Sequence, residues 1–277
     1  MAFREQANVE VVLKLAHEML FTVDPSAKNQ TEEEHKEIDD IMRRRIAKEV
    51  ELSYSLRDLD SISDEEFMDR MRSLLSPEDM RMASGYVDQE TFTMDIQGTQ
   101  ATIQRGGKQF LEPMKLNSME GIMDSMAVQI ASLVIEAVLF VVGVIGIKVH
   151  IEDSIIRKII KEVMPALKQP AFKRIISSFV MTWKEGSALQ KAKALFSLVK
   201  ETNSLGIFWK IVKMAFKSMK WYQYLRAAAE ITAMIVAAFA TDGLALIAKI
   251  ALSVSDAVNI TQKVINLTKM YEMSKAF

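Results

Sequence analysis

Between Ser125 and Ile147 the chain reads "SMAVQIASLVIEAVLFVVGVIGI", and its only formal charge there is Glu136. As a helix this segment is long enough to cross a bilayer core of about 30 Å, which takes roughly 20 residues. In water it has to be covered, because exposed apolar surface costs on the order of 25 cal/mol per Å². Any fold of this chain is therefore organised around enclosing the segment or inserting it. The segment is not uniformly apolar. Gln129, Ser132, Glu136 and Gly143 recur at spacings of three, four and seven, so they share one helical face. Such a stripe suits a helix that meets other helices or water on one side. Two readings stand. In one, the helix inserts into a membrane, with Val128, Leu133, Val134, Leu139, Phe140 and Val141 meeting lipid and Gln129, Ser132 and Glu136 forming its polar stripe. In the other, it is the buried central helix of a soluble bundle.

The rest of the chain points to helices. There are 10 glycines and 5 prolines in 277 residues, both scarce against average usage of roughly 7% and 5%. Thr31 followed by Glu34 is a capping-box pattern, and Ser63 with Glu66 marks another helix start. Ser76, Pro77 and Asp79 mark a third, with proline in the first turn where it is tolerated. Val9, Val12, Leu13, Ala16 and Leu20 form an apolar stripe ended by "DPSAKNQ". The period changes once. Phe92, Met94 and Ile96, then Ala101 and Ile103, alternate with polar residues about Gln97-Gly98-Thr99, which predicts a β-hairpin. The expected fold is mainly α: a multi-helix bundle of long amphipathic and apolar helices with one small β-hairpin at about residues 91–104.

Charge divides the chain. Residues 1–110 hold 14 Lys/Arg against 23 Asp/Glu, and residues 111–277 hold 21 against 13. An acidic amphipathic region (1–110) ending in the hairpin thus precedes a basic, apolar region (111–277), with the boundary near residues 105–117. The two are either separate units or one continuous domain. In the second region Pro165 and Pro170 predict a kink or break, and Ser187 a helix cap. Ala227–Ala240 and Leu244–Val254 form two apolar arms about Thr241-Asp242-Gly243, each too short to span a bilayer alone.

Catalytic and cofactor signatures are missing. The chain has no cysteine, so disulfides, thiolate metal sites and cysteine nucleophiles are excluded. His17, His35 and His150 show no zincin spacing, and "QRGGK" at 104–108 lacks the context of a phosphate loop. The basic run "MRRRIAK" at 42–48 lies within an acidic segment, which argues against a nucleic-acid partner. The expectation is a protein that is not an enzyme, with no cofactor, no metal and no identified small-molecule substrate. The N-terminus lacks the apolar run of a signal peptide. A soluble protein, cytoplasmic when made, is expected; if it leaves its cell to meet membranes, it does so by another route or by lysis.

One further stretch bears on membranes: "GIFWKIVKMAFKSMKWYQYL", residues 206–225. Taken as one helix, it gathers Lys210, Lys213, Lys217 and Lys220 within about 80° of one another at about 100° per residue. Phe208, Ile211, Val212, Ala215, Met219 and Tyr222 lie opposite, and Trp209 and Trp221 flank the lysines. That composition suits an interfacial helix, and it equally suits the outer helix of a soluble bundle. Across residues 90–255 the combination resembles in architecture the α-helical pore-forming toxins of the cytolysin A and tripartite enterotoxin type, and the pore domain of colicins. No family motif aligns residue by residue. The resemblance implies a soluble helical bundle that releases apolar helices at a membrane; the expectation is a water-soluble protein that binds and inserts into membranes as a homo-oligomer, with anionic lipid a candidate partner for the basic region. The alternative is a soluble helical interaction or scaffold module with its apolar helices in the core.

Overall fold

In a computed structural model the chain is described at residues 8–57, 62–77, 80, 92–105, 107–147, 151–167, 169–217 and 219–275. Most of the helix expected after Ser76, together with His150 and Gly106, lies outside the described residues. Eleven α-helices are described: α1 (Val9–Val23), α2 (Glu32–Ser55), α3 (Asp64–Leu74), α4 (Met119–Val144), α5 (Asp153–Leu167), α6 (Pro170–Glu185), α7 (Ala188–Ser204), α8 (Ile207–Ala215), α9 (Trp221–Ala240), α10 (Leu244–Ser253) and α11 (Val258–Ser274). The mainly α bundle read from the sequence is what forms.

The caps do what their chemistry predicts. The Thr31 hydroxyl accepts from the Glu34 amide while the Glu34 carboxylate accepts from the Thr31 amide, closing the first turn of α2. Ser187 and Gln190 repeat the device at α7, and Ser63 and Ser118 cap α3 and α4. Pro170 opens α6, and Pro165 is accommodated near the end of α5.

The hairpin is part of something slightly larger. Strands β1 (Phe92–Gln97) and β2 (Gln100–Arg105) pair antiparallel, with Met94 opposite Ile103 and Ile96 opposite Ala101. Two short strands, β3 (Lys108–Gln109) and β4 (Met114–Lys115), add to β2. A lone hairpin is marginal in water. Here the buried face of Met94, Ala101 and Ile103 joins the helical core, β1 lies on α11 and β4 on α4. At the far end Arg105 is buried, donates to the Ile151 carbonyl at 2.7 Å and pairs with Asp153 at the start of α5.

The 125–147 segment becomes most of α4, and α4 is the axis of the molecule. It packs chiefly on α11 and α5, with α7, α8, α10 and β4 completing the enclosure. Of its most apolar 18 residues, 89% are buried. Around this centre α1 and α2 cover α9, α10 lies on α7 and α2, and α6 bridges α7 and α11. Core residues from Val12 to Met270 form one connected cluster. The acidic and basic regions therefore share a single apolar core.

Candidate functional site

Opposite charges meet where the two regions meet. Glu37 of α2 pairs with Arg226 of α9 at 3.5 Å, and Arg45 of α2 with Glu230 of α9 at 3.3 Å. The same Arg45 donates to the Ile145 carbonyl at 2.5 Å, placing a cation at the C-terminal end of the α4 dipole. Arg43 pairs with Glu10 and Asp39, and Arg44 donates to the Asp40 carbonyl. The basic run of α2 is thus spent on intramolecular contacts.

Among the described residues two ion pairs stand out as fully interior. Lys249 of α10 meets Glu49 of α2 at 2.7 Å, with both side chains buried. Lys263 of α11 meets Glu136 of α4 at 3.4 Å, again with both buried. The polar stripe of the central helix is accordingly an internal one. Gln129, Ser132 and Glu136 are all buried. Glu136 finds its cation on the neighbour that α4 packs against most. Among the described residues the Ser125 and Ser132 hydroxyls find no hydrogen-bond partner. Val128, Leu133, Val134, Phe140 and Val141 are buried in the core, and Leu139 is half-buried. In this structure five of these six are enclosed, and only Leu139 keeps partial exposure.

The lysine-rich stretch departs from its expected form. It is not one helix. The segment 206–225 divides into α8 and the start of α9, joined by a break at 216–220. Gly206 leads into α8 with φ +70°, and Phe216 closes it. No breaker residue stands at the break, so tertiary packing decides it. The break lets Phe216 and Tyr224 both turn inward, their rings 6.5 Å apart. Lys210, Lys213, Lys217 and Lys220 are all exposed, as a lysine face requires. The two tryptophans separate. Trp221 is exposed, at 43%. Trp209 is buried, its ring set edge-on against Phe208 at 5.1 Å, which corrects its expected place at the rim. The short α8 packs on α5, α7 and α4, and Trp209 lies on its covered side.

The break also creates a groove that sequence reasoning missed. Between α5, α8 and the start of α9 lies a cleft of about 700 Å³. Its charged rim is Lys158 and Glu162 from α5 with Lys210, Lys213 and Lys217. The rest of its lining is apolar and aromatic: Ile155, Met214, Phe216, Met219, Trp221 and Tyr224. Glu162 pairs with Lys210 at 4.0 Å. Among the described residues, Lys158, Lys213 and Lys217 have no carboxylate within ion-pair distance. Tyr224 is 9% exposed and its hydroxyl has no hydrogen-bond partner. Burial, and then the nearby charge of Asp24, pushes this phenol up to about 12. It is therefore a neutral O–H, enclosed in the protein. Lys158 and Glu162 lie four apart on one face of α5, and that much was readable. Nothing local tells that this face meets residues some fifty positions later.

Among the described residues no group of three or more His, Asp or Glu is placed to hold a metal. No protein-family model matches the chain, and no curated protein and no solved structure matches it.

Proposed function

We propose that this protein is a water-soluble helical bundle that docks on anionic membranes through the lysine and Trp221 face and then inserts α4, acting as an oligomeric pore-former without catalytic activity. The observation that carries this reading is where the apolar surface lies. Among the described residues, α4 is the one single helix long and apolar enough to cross a bilayer, and it is held at the centre of an amphipathic sheath. A helix that is apolar all round is stable either in a core or in lipid. The sheath supplies the first environment, and a bilayer supplies the second at no cost in exposed area. On release, Glu136 would leave Lys263, and a buried carboxylate in hydrocarbon has to face other protein or water. Assembly of several copies answers that requirement.

The test uses leakage and sedimentation with vesicles. Wild-type protein is expected to bind and permeabilise phosphatidylglycerol-containing vesicles more than purely zwitterionic ones. The double substitution Lys213→Glu, Lys217→Glu is expected to abolish binding to anionic vesicles while circular dichroism and Tm stay unchanged. Both lysines are exposed, so the fold does not depend on them. Absence of binding and leakage across pH 5–8 would overturn the proposal.

A second reading is favoured by the two interior ion pairs. With Lys249–Glu49 and Lys263–Glu136 both closed, the internal charges of the apolar helices are already matched in the bundle. A soluble interaction module would have that property. It predicts monodisperse protein whose elution and thermal unfolding do not respond to lipid.

A further inference from the structure

The central helix carries a buried polar row. On α4 it is Ser125, Gln129, Ser132 and Glu136, all of them within about 60° of one another at about 100° per residue. Its chief neighbour α11 carries a second row, Asn259, Lys263 and Asn266, also buried and also on one helical face. Glu136 and Lys263 join the two rows. An interior polar seam is stable when each of its groups is matched. This one is not. Ser125 and Ser132 are 0% and 1% exposed. Among the described residues their hydroxyls have no hydrogen-bond partner, and neither has the Asn259 amide nitrogen. A polar group kept from water without a partner is costly, and alanine would fill either serine position without that cost. In the bundle the two hydroxyls bring nothing to the packing. On an inserted helix they gain partners, because a polar stripe within a membrane faces a water-filled cavity. The charge of α4 also has one sign. Its formal charges are Glu120, Asp124 and Glu136, with no lysine or arginine from Met119 to Val144. The cation that answers Glu136 belongs to α11, which lacks the length and apolarity to cross a bilayer. When α4 enters lipid, the carboxylate goes with it and the ammonium stays behind.

We infer that Ser125, Gln129, Ser132 and Glu136 of each copy line the lumen of the assembled pore, and that the pore passes small cations in preference to anions. The ring of Glu136 carboxylates is its selectivity element, since carboxylate rings favour cations in a narrow aqueous path. The inference rests on the pore-forming reading and adds to it which face of α4 meets water and what crosses.

The experiment is current recording from the full chain in planar bilayers containing phosphatidylglycerol, with a KCl gradient across them. The reversal potential gives the permeability of K⁺ relative to Cl⁻. For the wild type this ratio is expected to be at least about fivefold, the effect of one carboxylate close to an ion in aqueous surroundings. Glu136→Gln alone would strand the buried Lys263, so it is combined with Lys263→Met. In the same lipid the double variant is expected to lower the ratio by about that factor. A wild-type ratio at or below one overturns the inference, and so does a ratio that the double variant leaves unchanged. A second measurement leaves the ion pair intact. The chain has no cysteine, so an introduced thiol is unique. Ser132→Cys is expected to let a water-soluble methanethiosulfonate block the current. Val134→Cys, about 160° round the helix, is expected to leave the current insensitive to the reagent. Block at Val134 and not at Ser132 overturns the lining, and this pair decides alone if circular dichroism shows the double variant unfolded. If current flows without selectivity, insertion stands and the carboxylate ring falls. If the wild type gives neither current nor vesicle leakage, the pore-forming reading falls and takes the inference with it.

Discussion

Single residues decide how firmly α4 is held. Lys263 is completely buried, and its ammonium lies 3.4 Å from a Glu136 carboxylate that is almost as deep. Removing one member of such a pair strands the other charge in the interior, at a cost of roughly 3–5 kcal/mol. Lys263→Met is therefore expected to lower the urea unfolding free energy by about that amount, and adding Glu136→Gln to recover most of it. The surface pair Arg72–Asp69, with both side chains more than half exposed, is the control, and Arg72→Ala is expected to change stability by less than about 1 kcal/mol. If Lys263→Met proves as mild as Arg72→Ala, the pair does not anchor the helix. The sequence showed Glu136 as the lone charge of its segment and put it on a stripe with Gln129 and Ser132. It did not show Lys263, which lies 127 positions away on another helix. A stripe is a local periodicity, whereas a partner across the core is a property of the packing.

At the scale of elements, turns and caps carry most of the information. The signal Thr241-Asp242-Gly243 predicted a junction, and α9 and α10 meet there with a bend of 113°. Asp242 and Gly243 both take left-handed backbone, at φ +57° and +74°. A Cβ at Gly243 would also come within 2.3 Å of the Phe196 ring on α7. Gly243→Ala therefore combines backbone strain with overpacking, and is expected to cost about 2–4 kcal/mol in chemical denaturation. A loss under about 1 kcal/mol would mean that the ring moves aside freely. The break at 216–220 is the opposite case. Its amphipathic pattern runs on without interruption, and the burial of Phe216 and Tyr224 overrides it. The hairpin likewise was legible from its alternation. The added strands β3 and β4 were not, because two residues are too few to show a period.

For the whole molecule, the division by charge is not a division of the core. The acidic α2 lies along α9 and α10 and meets them with Glu37–Arg226, Arg45–Glu230 and the buried Glu49–Lys249. Since one apolar cluster runs through both regions, residues 1–110 and 111–277 are expected to unfold together. Far-ultraviolet circular dichroism, which reports all helices, and tryptophan fluorescence, which reports only Trp183, Trp209 and Trp221, should give coincident transitions. Two separated transitions would show that the regions are independent units.

The sequence by itself determined which segments are helical, where most of them start, that one hairpin interrupts them, and that one helix has to be hidden from water. These are short-range matters, set by side chains three or four positions apart and by the conformational limits of capping and turn residues. Only the tertiary structure decided that α4 is largely enclosed from Ser125 onward, that its polar stripe is answered from α11, and that a broken helix brings Lys158 and Tyr224 to one groove. Those outcomes depend on contacts between residues far apart in the chain, such as Glu136 and Lys263, 127 positions apart. An apolar surface says only that it must be buried, and several partners of similar hydrophobicity could bury it. Shape and charge complementarity among complete helices makes the choice, and no local window of sequence contains it.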